Sequence, residues 1–238
     1  MNAFQHIAAY LRFVKEYRRF KALTAADGRF PVLWKNHRPF LKEKTAQSGF
    51  DRHYIYHTAW AARMVRQANP AYHVDISSSM YFCAIVSAFV PVRFYEYRPA
   101  DLKLSSLSTG SADLLALPFE SDSVASLSCM HVVEHAGLGR YGDPLDPGGD
   151  LKAMAELARV LAPGGSLLFV VPVGKPGVRF NSHRTYSYGQ IVGYFKTLRL
   201  ASYAFIPEYF SGGPMVQDPP QETRDRGDEG CGCFRFTK

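Results

Sequence analysis

The sequence predicts a three-layer α/β domain, a mostly parallel sheet with helices on both faces. From Tyr72 onward, short apolar runs alternate with stretches of helical periodicity. Alternation of that kind builds parallel sheets through right-handed crossovers. Three acids also fall where strands should end: Asp75, Glu96 and Asp113. That is the edge at which open α/β sheets bind ligands.

The elements follow in order. Phe4, Ile7, Leu11 and Val14 recur at helical spacing, with Arg12, Lys15 and Arg19 on another face, which predicts a helix over residues 3–22. A connector with proline and lysine, Pro31 to Lys44, leads to a second helix over His53–Gln67, which stops before Asn69-Pro70. Strands are expected at Tyr72–Ile76, Val92–Tyr97, Leu102–Leu107, Val124–Met130 and Ser166–Val171, with helices at Met80–Phe89 and Gly149–Leu161. Ala162-Pro163-Gly164-Gly165 is a tight helix-to-strand turn. A helix at Tyr188–Lys196 and strands at Leu200–Ile206 and Cys231–Thr237 close the domain. The polar stretch Gln217–Gly230 between those strands is expected to be a mobile loop. The domain limits are therefore 1–49 for a basic helical extension and 50–238 for the α/β domain.

Charge is unevenly placed. Residues 1–44 hold ten Lys/Arg against three acids, which accounts for the whole net charge of +7. A nucleic-acid enzyme carries such charge around its active groove, so no nucleic-acid partner is expected. The basic helix either packs on the domain with its charges in water or docks on an anionic membrane surface, where each basic residue adds roughly 1 kcal/mol. No apolar run approaches the ~20 residues of a membrane span, and no secretory signal is read. Cys83, Cys129, Cys231 and Cys233 fit neither a disulfide framework nor a zinc spacing. A cytoplasmic location, peripheral to the membrane at most, is the expectation.

Glu96 lies 21 positions after Asp75, the spacing at which a dinucleotide fold sets a carboxylate on a ribose diol. After the fourth strand the chain is densely polar: His131, Glu134, His135, Arg140, Tyr141, Asp143 and Asp146, with His183 and Arg184 on the same edge. His131 or His135 is the candidate base, with Arg140 and Arg184 holding an anionic substrate. In the alternative reading, Glu134, Arg140 and Asp143 only brace a glycine-rich loop. His131 to His135 also matches the H-x-x-E-H zinc pattern, but the motif leaves a strand for a loop, where zinc chemistry needs it on a helix. No metal is expected.

The stretch ADLLALPFESDSVASLSCMHVVEHAG, followed by AMAELARVLAPGGSLLFVVP, resembles the class I S-adenosylmethionine (SAM) methyltransferases. HVDISSS, HVVEHAGLGRYGDPLDPGG and FNSHRTYS resemble, more narrowly, a methyltransferase-like domain of unknown function. The resemblance implies a Rossmann-like seven-stranded sheet with an antiparallel last strand. It implies SAM as cofactor and S-adenosylhomocysteine as its product, with Asp75 near the methionine part, Glu96 on the ribose and Asp113 on the adenine. His131, Glu134, His135, Arg140 and His183 become catalytic candidates, and Tyr141, Asp143 and Arg184 substrate-binding ones. The implied acceptor is a small molecule or a carbohydrate, from the company the narrower family keeps in bacterial surface-polysaccharide pathways. One departure stands out. Where the family carries Gly-x-Gly after the first acid, this chain has Ser77-Ser78-Ser79. Serine at positive φ costs roughly 1 kcal/mol or more, and its side chain takes ligand space, although hydroxyls of Ser77 and Ser78 could bind the cofactor instead. The alternative function is an inactive relative that keeps the fold as a binding or scaffold module.

Overall fold

The computed structural model describes residues 2–24, 28–46, 48–208, 213–225 and 227–238. Asp27 of the basic segment and Arg226 of the polar stretch lie outside them. The chain divides into two compact units, Met1–Phe50 and Asp51–Lys238.

In the first unit α1 covers Ala3–Leu23. Asn2 and Gln5 form a reciprocal capping box at its start, which satisfies two of the amides a helix leaves unpaired there. Phe13 and Tyr17 pack on Trp34, and the Tyr17 hydroxyl donates to the Val32 carbonyl at 3.2 Å. Lys44 pairs with Glu16. The expected apolar face is only partly used: Phe4, Ile7 and Leu11 are exposed by 81, 59 and 64 %.

The second unit begins with α2, Arg52–Ala68, capped by Asp51 through Tyr54 N and ended by Asn69 in the left-handed region. Then come β1 His73–Ile76, α3 Met80–Val86, β2 Val92–Glu96, β3 Leu107–Ser111, β4 Val124–Met130 and α4 Gly149–Val160. β5 Leu161–Val173, β6 Gly177–Arg179, β7 His183–Thr185, α5 Tyr188–Tyr194, β8 Arg199–Pro207, β9 Val216–Gln217, α6 Gln221–Asp225 and β10 Gly230–Thr237 complete it. The main sheet runs β3-β2-β1-β4-β5-β10-β8-β9, and β6 and β7 form a separate ribbon. β1 to β5 pair in parallel, while β10 is antiparallel to both β5 and β8.

The core explains the near-continuous apolar strands. Along β5, Leu167, Phe169 and Val171 join the layer that holds α4 and α5, with Leu157, Phe195 and Phe234. Leu168 and Val170 face the other layer with Trp60 of α2 and Phe82 of α3. A strand buried on both sides shows no polar alternation.

Three expectations need correction. The sheet has eight strands rather than seven, because the two-residue β9 extends its edge. The third strand is Leu107–Ser111, not Leu102–Leu107: as an edge strand it buries little beyond Leu107, so its sequence carries no apolar run. Gln217–Gly230 is not a featureless loop. It holds the end of β9 and α6, and polar groups anchor it: Asp218 exchanges hydrogen bonds with the Tyr203 backbone, and Arg224 donates to the Tyr188 hydroxyl at 3.0 Å.

Candidate functional site

A cavity of about 1090 Å³ opens at the carboxyl ends of the parallel strands, in the second unit. Ligand cavities run roughly 300–1,000 Å³, so this one lies at the upper end of that range. One wall comes from the loops after β1, β2 and β3, the other from the polar loop after β4 and the β6–β7 ribbon.

On the first wall the triple serine makes the turn without glycine. Ser77 itself takes the left-handed conformation, φ +56°. Its amide donates to the Tyr95 carbonyl at 2.7 Å and its hydroxyl folds back onto the same oxygen at 3.3 Å. The Ser78 hydroxyl accepts from the Met130 amide at 3.0 Å. Two of the three hydroxyls are thus turned into the protein, so the cavity stays open despite the missing glycines. Ser77, Ser78 and Ser79 all line it.

Asp75 is fully buried and does not reach the cavity wall. It lies under the turn, where Oδ1 accepts from the Ser78 amide at 3.0 Å and Oδ2 from the Ser128 hydroxyl. Burial pushes its carboxyl up to about 6, against the pull of those hydrogen bonds. The expected cofactor contact at Asp75 therefore becomes a brace for the serine turn. Glu96 and Asp113 do line the cavity. Glu96 is half-buried, accepts from Tyr97 N at 3.0 Å, and is raised above the usual carboxylate range by burial. Asp113 is exposed and accepts from Leu115 N at 2.9 Å.

The opposite wall sorts the polar cluster. Buried Glu134 is the hub: Oε1 lies 2.9 Å from His131 Nδ1 and 3.9 Å from His135 Nε2, and Oε2 has no hydrogen-bond partner. His131, at φ +57°, has both nitrogens engaged, since Nε2 meets Cys231 Sγ at 3.3 Å. Burial draws the His131 imidazole down, but Cys231 and Glu134 more than reverse this, so it holds its proton tightly. It is poorly placed as a base. His135 donates from Nδ1 to the Ser182 carbonyl at 2.5 Å, leaving Nε2 to take a proton. His183 lines the cavity, and burial and Arg179 lower its pKa, so it is neutral at pH 7. Of the H-x-x-E-H pattern, His131 hydrogen-bonds Glu134, while His135 Nε2 lies 3.9 Å from the same oxygen.

Asp143 braces the loop, accepting from the amides of Gly137, Gly139 and Tyr141. Arg140 and Tyr141 line the cavity, with the guanidinium 5.1 Å from the ring centre. Arg184, expected to hold substrate, is instead buried and absent from the wall. It donates to the carbonyls of Ala136 and Pro147 and lies 3.6 Å from Asp150, so it ties the loop to α4. Asp146 accepts from Gly148 N and pairs with Lys152.

The sequence reading missed His53 and Tyr54 on α2, Arg98 after β2 and Arg179 on β6, all on the cavity wall. The ring of Tyr54 stacks on His131 at 5.5 Å. The one available signal was His53 and His57 at i and i+4, which share a helix face.

The family described as Caenorhabditis protein of unknown function, DUF268, matches residues 109–212. No curated protein matches the chain. Among solved structures, the [4+2]-cyclase SpnF is similar with a TM-score of 0.56 and 11 % identity, over 82 % of this chain and 85 % of that one. The 1,6-didemethyltoxoflavin-N1-methyltransferase of Burkholderia thailandensis, with 1,6-didemethyltoxoflavin and S-adenosylhomocysteine bound, is similar at 0.52 and 10 % identity, over 100 and 91 %. The N-methyltransferase NodS of Bradyrhizobium japonicum WM9, in complex with S-adenosylhomocysteine, is similar at 0.51 and 13 % identity, over 84 and 92 %. The fold is that of the class I SAM methyltransferases. At these identities the likeness establishes architecture alone, and a cyclase among the similar structures shows that the architecture serves more than one reaction.

Proposed function

We propose that the chain is a SAM-dependent methyltransferase acting on a small hydroxylated or carbohydrate-type acceptor that carries negative charge. The observation that carries this is the cavity itself. Strand-end carboxylates Glu96 and Asp113 and an open serine turn stand on one side, and His135, Arg140 and His183 on the other. The polar GLGRYGDP segment that forms the second wall falls within the residues matched to the family of unknown function.

Glu96 has two acceptor oxygens for a ribose diol, and Asp113 would receive the adenine amino group. The bound cofactor supplies an electrophilic methyl group on a sulfonium. His183, neutral at pH 7, or His135 through Nε2 takes the acceptor's proton. Arg140 and Arg179 offer guanidinium forks to an anionic acceptor, and Tyr54 and Tyr141 offer rings against its apolar faces.

Calorimetric titration with SAM and with S-adenosylhomocysteine, beside Asp113→Ala, tests the reading. Saturable binding in the micromolar range, weakened about tenfold or more by the substitution, is expected; one lost charge-assisted hydrogen bond corresponds to about 1.5–3 kcal/mol. Absence of binding at millimolar ligand would overturn the cofactor assignment and leave the scaffold alternative.

The first unit carries a second reading. Phe4, Ile7 and Leu11 are exposed on a helix that also presents Arg12, Lys15, Arg18 and Arg19. That combination matches peripheral docking on an anionic membrane surface of a cytoplasmic protein. Among the described residues no helix is long and apolar enough to cross a membrane.

A further inference from the structure

Behind the second wall of the cavity lies a cluster that methyl transfer does not use. Among the described residues, His57 of α2, His131 at the end of β4 and Cys231 of β10 bring one donor atom each to within 4.8 Å of one another. All three belong to the second unit.

The hydrogen bonds around them determine which atoms are available. His57 Nδ1 lies 2.7 Å from the His53 carbonyl. A carbonyl only accepts, so Nδ1 carries the hydrogen and Nε2 is a bare lone pair. That Nε2 is buried with no hydrogen-bond partner, which is uncommon for a buried polar atom. His131 Nδ1 lies 2.9 Å from the Glu134 carboxylate, which likewise takes the Nδ1 hydrogen and turns Nε2 toward Cys231 Sγ at 3.3 Å. Metal-bound histidines are oriented in this way, each giving its second N–H to a carbonyl or a carboxylate.

Charge points the same way. Glu134 is 1 % exposed, and one of its oxygens has no partner. A buried carboxylate without full compensation is costly. A divalent cation held by a thiolate, with Glu134 behind one ligand, brings the buried charge to zero. One of the three donor distances fits as well. Tetrahedral zinc, with Zn–S of about 2.3 Å and Zn–N of about 2.0–2.1 Å, sets N and S ligands about 3.5 Å apart. The His131–Cys231 pair is already at that spacing.

We infer that His57, His131 and Cys231 form a three-ligand zinc site, held by Glu134 and the His53 carbonyl as outer partners. Two imidazoles and one thiolate select a borderline cation over magnesium or calcium. On binding, the proton shared between His131 Nε2 and Cys231 Sγ leaves to solvent, and the lone pairs of both atoms and of His57 Nε2 bond the ion. The ion fastens α2 to β4 and β10 beside the cavity and leaves a fourth coordination position. This set differs from the H-x-x-E-H pattern, since His135 takes no part.

The test uses the full-length, tag-free protein, stripped with chelator and titrated with cobalt(II) as a spectroscopic probe, then with zinc against a chromophoric chelator. One equivalent of cobalt should produce thiolate-to-metal charge-transfer absorption, displaced by zinc. Cys231→Ser should abolish the band, Glu134→Gln should weaken zinc binding roughly 10–100-fold, and His135→Ala should leave the band intact. Melting curves in chelator check that the variants fold. Absence of the band in the wild-type protein would overturn the site, and so would its survival in Cys231→Ser. Neither result depends on SAM binding.

Discussion

Ser128→Ala tests the buried chain of hydrogen bonds under the serine turn. Asp75 Oδ2 accepts from the Ser128 hydroxyl, so His73 Nε2, 2.8 Å from the Ser128 oxygen, must donate to it. His73 Nδ1 then accepts from the Ser126 hydroxyl, also at 2.8 Å. The relay runs Ser126, His73, Ser128, Asp75, and every member is buried. Burial holds His73 neutral, with its pKa lowered to about 3. Removing one hydroxyl orphans two buried atoms, His73 Nε2–H and Asp75 Oδ2. At about 1–3 kcal/mol each, the expected loss is about 4 kcal/mol, read as a lower urea midpoint with an unchanged slope.

The loss should also depend on pH. Asp75 has a folded pKa of about 6 against an unfolded value of 3.8, and Ser128 is one of the groups holding it down. A raised folded pKa means that the native state binds the extra proton, so this contribution is fully present below pH 3.8 and is lost as pH rises through the folded pKa. Without Ser128 that pKa climbs further, so the penalty at pH 8 should exceed that at pH 5 by about 1.4 kcal/mol for each unit of climb. A penalty under about 1 kcal/mol, or one equal at both pH values, would refute the relay.

The remaining predictions concern the polar loop and the basic helix. Gly137→Ala should melt at lower temperature and lose SAM-dependent activity, because a Cβ there would sit 2.0 Å from the Asp146 carbonyl oxygen at φ +76°; an unchanged melting temperature would show that the loop relaxes freely. Arg184→Ala should cost about 3–5 kcal/mol in a denaturant titration, the range for removing one partner of a buried ion pair, since it leaves Asp150 without its cationic partner and the Ala136 and Pro147 carbonyls without their donor. A surface arginine would cost far less. Sedimentation with anionic vesicles should bind the full-length protein at low salt and release it at high salt. Ile7→Glu with Leu11→Glu should abolish that binding, and equal sedimentation with neutral vesicles would end the docking reading.

Most of the fold was legible because its signals are local. Strand β5 announces itself as an apolar run, since both its faces are buried, whereas β1 and β4 also carry buried polar residues that pair with one another. Asn69-Pro70 marked the end of α2, which closes on a left-handed Asn69. β3 was misplaced and β9 went unread because edge strands bury little, and α6 went unread because its anchors are polar groups set against Tyr188 and Tyr203. At the site, residue type indicated chemistry but not direction. Glu96, Asp113, Arg140 and His183 face the cavity, whereas Asp75 and Arg184 carry the same charges inward.

The sequence by itself determined the class of fold, the edge of the sheet that carries the cavity and the kinds of group gathered there. Strand ends, periodicity and turn residues are properties of short stretches of chain. Only the tertiary structure decided which polar groups meet. The closeness of His57, His131 and Cys231, 74 and 100 positions apart along the chain, is set by how α2 packs on the sheet and where β10 inserts beside β5. Their pairing follows from that packing, and no spacing in the chain encodes it.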